Sequence, residues 1–411
     1  MPSIDLTFLT RLAHLNARDP ALRDKSLEAL GRADAGRGVA FLLEALNDDR
    51  ARVAIYALRR SLLKLPEEQA LALLEKADSR KITVLKEIVR LVGELSGEQA
   101  YYFLKRYAAS ENLHPDVQIA LLRACWNHLD HDEVWSAFFQ AAKSERSALV
   151  RATIRIPQQG LSVKNREKLV QLITLLLHHP DAQIRRETLE RLVLLPPGQS
   201  DEKLHAVLAG LLEDVDPQIR FLAARAMLVD CRARHDTRLT DVFSSERQAR
   251  SLISIVDAYA LEARVNARSL QSSARQLCNA LLTRRWQTAT AVRLALLVLP
   301  QAEIQSFLER LEQAGLLHPD AVHVAVDNWT HILNSHPMPA LEALQSWLGS
   351  STRPGLRRIG LGLLCVLAQR QGWIKPMRDQ VYHYRQDQEL WISDAAEQIE
   401  LPPVLDTGEK K

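Results

Sequence analysis

The sequence predicts an all-α protein made of stacked helical hairpins, and two observations carry this prediction. A short pattern recurs along the chain: an acidic residue or proline, an aliphatic residue, a basic residue, and then an alanine-rich apolar stretch. The aliphatic position returns every 29–37 residues. Repeats of this length are typical of helical units that stack on their neighbours to bury their apolar faces. The aliphatic positions are Leu22, Val53, Ile82, Ile119, Val150, Ile184 and Ile219.

The clearest unit runs from Leu161 to Pro197 and predicts two helices joined by a short turn. Ser162 is suited to cap the first helix, whose apolar residues recur at helical spacing. The run 178–180 interrupts that spacing, and we expect a second helix from Asp181 onward. The predicted buried residues of this second helix are Ile184, Thr188, Leu189 and Leu192.

Asp216 and Pro217 show why the pattern suits the start of a helix. An Asp side chain can accept backbone N–H groups as an N-cap, which stabilises a helix by about 1 kcal/mol. Proline in the first turn has no N–H to leave unpaired. Arg220 lies four residues after Asp216, within reach of its carboxylate. We therefore expect a helix to start here, after a preceding helix over residues 201–213.

The core pattern Asp-Pro-x-[Ile/Val/Leu]-Arg-x-x-Ala is matched best at 181–192 and 216–227, and also at 19–30. It resembles the repeat of the HEAT-repeat proteins, members of the armadillo-type α-solenoid group. The resemblance implies a right-handed α-α superhelix of about a dozen helical hairpins. It also implies that the second helices line the concave face and that Asp and Arg side chains form a structural ladder between units. The implied ladder residues are Asp181, Arg185, Asp216 and Arg220.

The strength of the repeat divides the chain into four predicted segments. Residues 1–231 match the HEAT-like pattern best, whereas residues 232–290 keep helical periodicity but lose most of the pattern. Residues 291–400 return to HEAT-like repeats, and 401–411 form a predicted disordered tail. Because a solenoid grows by adding units, 411 residues require no division into separate cores.

A net charge of +3 conceals an uneven distribution of charge along the chain. Residues 220–293 contain 13 arginines, no lysine and 6 acidic residues. Residues 1–219 are neutral overall, and residues 294–411 carry a net charge of −4. Arginine suits bidentate binding of carboxylates and phosphates. The middle of the chain is therefore the strongest candidate for a charged docking surface.

A helix predicted over residues 266–283 carries an arginine stripe. At about 100° per residue, Arg268 and Arg275 lie opposite the apolar face. The stripe is either a solvated face paired with nearby acidic residues or a docking surface for an acidic protein segment, with nucleic-acid phosphate as the lesser option. The predicted apolar face consists of Leu270, Ala274, Leu277 and Leu281. The candidate partner-binding residues are Arg264, Arg268, Arg275, Arg284 and Arg285, and also Trp373 at a predicted helix break.

Candidates for chemistry are weaker than the candidates for binding. The segment 128–133 contains residue types found in metal sites, but an interhelical turn with Asp130 or Asp132 as a helix cap explains it as well. Some HEAT-like DNA glycosylases use an Asp with aromatic and basic residues, and Trp126 and Trp135 supply such types here, although Trp126 falls on an apolar stripe. No Walker loop, Gly-x-Ser-x-Gly or dinucleotide fingerprint occurs. Four widely spaced cysteines predict no disulfide or zinc site.

These observations favour a non-catalytic scaffold or adaptor that binds a protein partner and requires no cofactor. A nucleic-acid-binding protein is an alternative, and it should carry a continuous basic track along the concave face. An enzyme or enzyme subunit of the HEAT-type lyase group is another, by analogy of fold. No apolar run approaches the ~18 residues of a membrane span, so we expect a cytoplasmic protein without membrane insertion.

Overall fold

The structure is a computed structural model that describes most of the chain. The described residues are 6–33, 36–47, 50–76, 81–110, 113–195, 202–234, 242–243, 249–282, 288–319 and 336–403. Within these ranges the regular structure is helical and no β-strand occurs. The predicted all-α class is therefore confirmed for the described part of the chain.

Two compact units make up the chain, Met1–His179 and Pro180–Lys411, and they are called unit 1 and unit 2 below. The segments predicted from the repeat pattern, with borders at residues 231, 290 and 400, concern repeat type and stay predictions. Of the predicted disordered tail, residues 401–403 are described and non-helical, and the remainder lies outside the described residues. Among the described helices, none is long and apolar enough to cross a membrane.

Unit 1 contains eleven described α-helices. Their bounds are α1 Leu6–Ala13, α2 Pro20–Leu30, α3 Val39–Ala45, α4 Ala51–Leu62, α5 Glu67–Leu74, α6 Ile82–Val92, α7 Glu98–Ala108, α8 Pro115–Ala124, α9 Asp132–Ala142, α10 Ser147–Ile154 and α11 Val163–Leu176. 3-10 helices follow α1 at His14–Asn16 and α8 at Cys125–His128.

The helices of unit 1 form two layers. Helices α3, α5, α7, α9 and α11 are called first helices, and α2, α4, α6, α8 and α10 are called second helices. Second helices pack on second helices, as α2 does on α4, α6 on α8, and α8 on α10. First helices likewise pack on first helices, and α3–α4, α7–α8 and α9–α10 close the hairpins. The apolar core lies between the layers.

Small residues allow neighbouring second helices to approach closely. A Cβ added to Gly93, at the end of α6, would lie 2.6 Å from the Cα and Cβ of Ala124 in α8. A Cβ on Gly31 would meet the backbone of Ala57 in α4 at a similar distance, 2.6 Å from its carbonyl oxygen. Distances this short exclude any side chain without movement of the backbone. Glycine at these positions therefore sets the spacing of the second-helix layer.

Unit 2 continues the succession of helices. Its helices are α12 Ala182–Val193, α13 Glu202–Leu211, α14 Pro217–Arg234, α15 Ala249–Leu281, α16 Thr288–Val298, α17 Gln301–Gln313, α18 Met338–Gly349, α19 Pro354–Gln371, α20 Lys375–Arg385 and α21 Leu390–Glu397. α14 packs on α12 and on α15, α15 packs on α16, and α19 packs on α17 and α18.

Side-chain caps start the helices where the sequence predicts them. The Ser162 hydroxyl accepts the Asn165 N–H at 3.3 Å, and α11 begins at the next residue. Asp181 accepts the N–H of Gln183, and Asp216 accepts the N–H of Gln218, both at 2.8 Å. Each of these caps satisfies a backbone donor that has no partner within its helix. The predicted helix starts at these positions are confirmed.

The aliphatic position of the repeat is not buried to the same extent in every repeat. Ile184 and Ile219 are completely buried. Ile82 is 44% exposed, because it is the first residue of α6, and Val84 occupies the buried position instead. The repeat register inferred at Ile82 is therefore wrong by two residues, since a helix start places its first residues outside the layer contact.

One long helix, α15, replaces the shorter helix predicted over residues 266–283. It extends over 33 residues from Ala249 to Leu281. This segment contains neither proline nor glycine, so nothing in its sequence ends the helix earlier. Its predicted apolar face is confirmed, because Leu270, Ala274, Leu277 and Leu281 are all buried.

Candidate partner-binding surfaces

Arg185, the arginine of the repeat that contains Asp181, joins its hairpin to the next one in unit 2. Arg185 Nη2 lies 2.9 Å from Asp214 Oδ2, and its Nε donates to the same carboxylate at 3.1 Å. Its Nη1 donates to the Pro180 carbonyl at 2.9 Å. The guanidinium therefore binds its own turn and the following turn at once. The Asp214 carboxylate also accepts the Asp216 N–H at 2.9 Å, which fixes the second turn.

The partners of Asp216 and Arg220 differ from those the four-residue spacing predicts. Asp216 Oδ2 accepts Arg186 Nη2 at 2.5 Å. Arg220 is buried, and its Nη1 donates to the carbonyls of Asp214 at 2.8 Å and Val215 at 2.9 Å. The direct Asp216–Arg220 pair is therefore a wrong prediction, because the guanidinium folds back onto the turn. Burial would raise the pKa of Asp216, but hydrogen bonds from Arg186 and the Gln218 N–H hold it below its usual value.

The same arrangement recurs in α19, in a repeat that the sequence marks only faintly. Arg357 binds the Asp387 carboxylate through Nε at 2.7 Å and Nη2 at 2.8 Å. Its Nη1 donates to the Thr352 carbonyl at 2.8 Å, as Arg185 does to Pro180. Asp387 also accepts the Glu389 N–H at 2.9 Å. Asp214 and Asp387 were not predicted as partners, although both begin an Asp-x-acidic turn about 30 residues after the arginine.

The predicted arginine stripe lies on the exposed side of α15. Arg268 and Arg275 are exposed, opposite the buried apolar face. Arg275 Nε and Nη2 each donate to the Glu303 carboxylate of α17 at 2.7 Å. Arg268 has no ion-pair partner among the residues that the structure describes. The surroundings of Arg275 thus fit the interpretation of a solvated face paired with acidic residues, whereas Arg268 is exposed and has no such pair within the described residues.

Of the other predicted binding residues, only Trp373 has a described side chain. Arg284 and Arg285 lie outside the described residues, and Arg264 lies in α15 with only its backbone described. Trp373 is half-buried between α19 and α20, and its carbonyl accepts Arg378 Nε at 2.9 Å. The turn around it contains Gly372, whose φ of +78° is a conformation that favours glycine.

The polar segment 128–133 is an interhelical turn, although its predicted cap is wrong. The N-cap residue of α9 is His131, and its side chain makes no capping hydrogen bond. Its ring stacks on Tyr101 instead, with centroids 3.6 Å apart. The Asp130 carboxylate accepts Asn165 Nδ2 at 3.0 Å. In the described part of the chain, no three His, Cys, Asp or Glu side chains are placed to hold a metal ion.

The aromatic and acidic residues that suggested a glycosylase-like site each make contacts of their own. Trp135 is buried, and its Nε1 donates to the Leu129 carbonyl at 2.8 Å and to Asn165 Oδ1 at 3.1 Å. Asp132 binds Lys164 and Lys168, which together hold its pKa at about 2. Trp126 is half-buried in the second-helix layer. Trp135 and Asp132 of α9 thus connect this helix to α11 of the next hairpin.

The described cysteines are isolated. Burial raises the pKa of Cys125 to about 11 and also raises the pKa values of Cys278 and Cys365. All three are therefore protonated at neutral pH, a state that disfavours nucleophilic attack and metal binding.

Comparison with known proteins identifies the fold. No protein-family profile matches the sequence, and no curated protein matches it. Among solved structures, Kap121p bound to Pho4p superposes with a TM-score of 0.55 at 13% identity, over 95% of this chain and 48% of that one. The karyopherin Kap121p bound to the extreme C-terminus of the phosphatase Cdc14p gives 0.55 at 13% identity, over 96% and 49%.

The chain is a HEAT-type α-solenoid. A complex of Kap95 with Nup1 matches similarly, with a TM-score of 0.50 at 12% identity, over 95% of this chain and 61% of that one. The solenoid thus spans about half the length of the Kap121p structures it matches. At this level of identity the likeness concerns the fold, and the predicted HEAT-like class is confirmed.

Proposed function

We propose that this α-solenoid is a non-catalytic scaffold or adaptor that binds a protein partner through exposed helix faces, as part of a larger complex. The observation that carries the proposal is the exposed charged surface of regularly stacked hairpins. In contrast, the residue types that suggested chemistry connect hairpins to each other. A stack of similar helices offers a long, continuous surface, which suits the binding of extended protein segments.

The structural neighbours support the same proposal. Kap121p has been solved with Pho4p and with the extreme C-terminus of Cdc14p, and Kap95 has been solved with Nup1. All three partners are proteins, and one is a chain terminus. We propose that this chain also binds a protein partner, and that the chemistry of the solenoid surface determines which one. We also propose a cytoplasmic location.

Affinity purification of the tagged full-length chain from its native host tests this function. We expect one stoichiometric protein to co-elute, identified by mass spectrometry, and to remain after nuclease treatment. Recovery of nuclease-sensitive nucleic acid without a protein partner would favour the nucleic-acid-binding alternative. Cell fractionation of the same strain tests the proposed location.

A further inference from the structure

Unit 1 separates its charges between the two helix layers. The second helices α2, α4, α6, α8 and α10 contain nine basic and four acidic residues. The first helices α3, α5, α7, α9 and α11 contain seven acidic and five basic residues. The helices of the second-helix layer therefore carry a net positive charge, and those of the first-helix layer carry a net negative charge. A partner that reaches the second helices encounters mainly positive charge.

A cavity of about 180 Å³ opens on the second-helix layer between α6 and α8. Its basic lining comes from Lys86 and Arg90 of α6 and from Arg123 of α8. Ile119 and Ala120 add an apolar lining, and Asp116 supplies the single acidic group. The cavity, called the α6–α8 cleft below, thus combines three cations with an aliphatic surface.

The cations of the α6–α8 cleft are weakly engaged. Arg90 Nη1 donates to Glu87 Oε1 at 2.9 Å within one helix, where the Arg90 side chain is 54% exposed and the Glu87 side chain 13%. Pairs of this kind stabilise a helix by only about 0.2–0.5 kcal/mol, so a partner carboxylate can replace Glu87. Lys86 and Arg123 have no ion-pair partner within the described ranges of the chain.

Asp116 is too distant to neutralise the arginine on its own helix. It lies in the first turn of α8 and Arg123 lies in the last turn. Seven residues of α-helix separate the two positions by about 10 Å along the axis. The α6–α8 cleft is therefore basic at the end of α8 that carries Arg123.

We propose that the α6–α8 cleft docks an acidic segment of a protein partner, with carboxylates on Arg90 and Arg123 and an aliphatic side chain on Ile119. This inference rests on the proposed protein-binding function and gives it a site. Arginine binds carboxylates through two parallel hydrogen bonds, which suits this pair. A cavity of about 180 Å³ holds only a few side chains, so it fits a peptide better than a nucleic-acid duplex. The apolar lining and Asp116 are further features that disfavour a phosphate backbone.

Helix α4 carries a similar pair of positions. Tyr56 and Arg60 lie four residues apart, as Lys86 and Arg90 do on α6 and Ile119 and Arg123 do on α8. Tyr56 is 64% exposed, and an exposed aromatic side chain is a typical anchor for a partner. An ion pair of 2.7 Å between Arg59 and Glu94 connects α4 to the residues that follow α6. A segment longer than the cavity would thus find further contacts on α4.

Fluorescence anisotropy with a short labelled peptide of alternating Glu and Leu tests the inference. The wild-type chain should bind this peptide saturably and should not bind the same peptide with Gln in place of Glu. Arg90→Glu combined with Arg123→Glu should weaken binding by about tenfold or more, because it replaces attraction by repulsion. Lys143→Glu is the matched control, since Lys143 is an exposed cation at the end of the first helix α9, and it should bind as the wild type does.

Three results would overturn the inference: no binding of the Glu peptide, equal binding by the double variant, or preferential binding of a poly-dT oligonucleotide. The proposed function fails by a different result, namely that the wild-type chain retains no protein partner in host extracts. If the double variant retains the wild-type partner at full yield, the scaffold function stands and the α6–α8 cleft is not its docking site. Unchanged circular dichroism and melting of the double variant exclude unfolding as the cause of any loss.

Discussion

The guanidinium of Arg357 holds the carboxylate of Asp387, 30 residues later in the chain, with hydrogen bonds of 2.7 and 2.8 Å. Both side chains are largely shielded from water, at 18% and 9% exposure. Arg185 and Asp214 form the equivalent pair 29 residues apart. A turn that caps the next helix thus depends on an arginine of the preceding hairpin. This connection makes the stability of one repeat depend on its neighbour.

Asp387→Asn should lower the free energy of unfolding by about 2 kcal/mol, because it leaves a shielded guanidinium without its counter-charge. The hydrogen bond from Arg357 holds the pKa of Asp387 below its usual value. The carboxylate therefore contributes stability above the ordinary Asp pKa, and this contribution is lost as pH falls through the lower folded pKa. Urea unfolding over a pH series measures both effects. Exposed Asp394→Asn is the control and should match the wild type.

Ile184→Asp should destabilise the chain by about 3 kcal/mol or more, because it buries a charge between stacked hairpins. Ile82→Asp is the matched control: it makes the same change at the same position of the sequence pattern, but at a residue that is 44% exposed. An acidic residue in the first turn of α6 is also favoured by the helix dipole. Thermal melting of the two variants compares them. Equal losses would contradict the register that places Val84, and not Ile82, in the core.

Arg268→Glu should weaken partner capture more than Arg275→Glu does. The reason is that Arg275 is already engaged by Glu303, whereas Arg268 has no ion-pair partner in the described part of the chain. Both variants should melt near the wild-type temperature, since exposed ion pairs contribute about 0–1 kcal/mol. Pull-down of the host partner at low and raised salt measures the effect. If a variant that combines Arg268→Glu with Arg275→Glu still captures the partner fully, the arginine stripe is only a solvated surface.

Gly93→Ala and Gly210→Ala should change stability in opposite directions. The added methyl group at Gly93 meets Ala124 at 2.6 Å, so α6 and α8 must separate, at a cost of about 1–3 kcal/mol. At Gly210, within α13, nothing lies within 4 Å of the added Cβ. Alanine there should stabilise the helix by up to about 1 kcal/mol. Denaturant midpoints of the two variants give the comparison, and a neutral Gly93→Ala would contradict the close helix contact.

Local signals in the sequence predicted the local structure well. Ser162, Asp181 and Asp216 cap helices because their side chains act on backbone only two or three residues away. The pairing of Arg185 with Asp214 could not be predicted in the same way, since it depends on how one hairpin lies against the next. The motif named the arginine but assigned Asp216 to the wrong partner.

The candidate sites show the same division between local and long-range information. The exposed face of α15 follows from its helical period, but the Arg275–Glu303 pair depends on the packing of α15 near α17. Charge counted along the sequence pointed to residues 220–293 and passed over the neutral first half. The α6–α8 cleft is invisible to such a count, because acidic residues of adjacent helices cancel its cations in sequence but not in space.

The two charged layers of unit 1 give it an electric dipole moment across the hairpins. Packed helices lie about 8–10 Å apart, so the centres of the net positive and net negative charge of the two layers are separated by about that distance. An isoelectric point or net charge records nothing of this separation. At low ionic strength, an approaching acidic partner should therefore exert a torque on the unit that turns the second helices toward the partner before contact. The same unit should adhere to cation-exchange resin through one layer and to anion-exchange resin through the other.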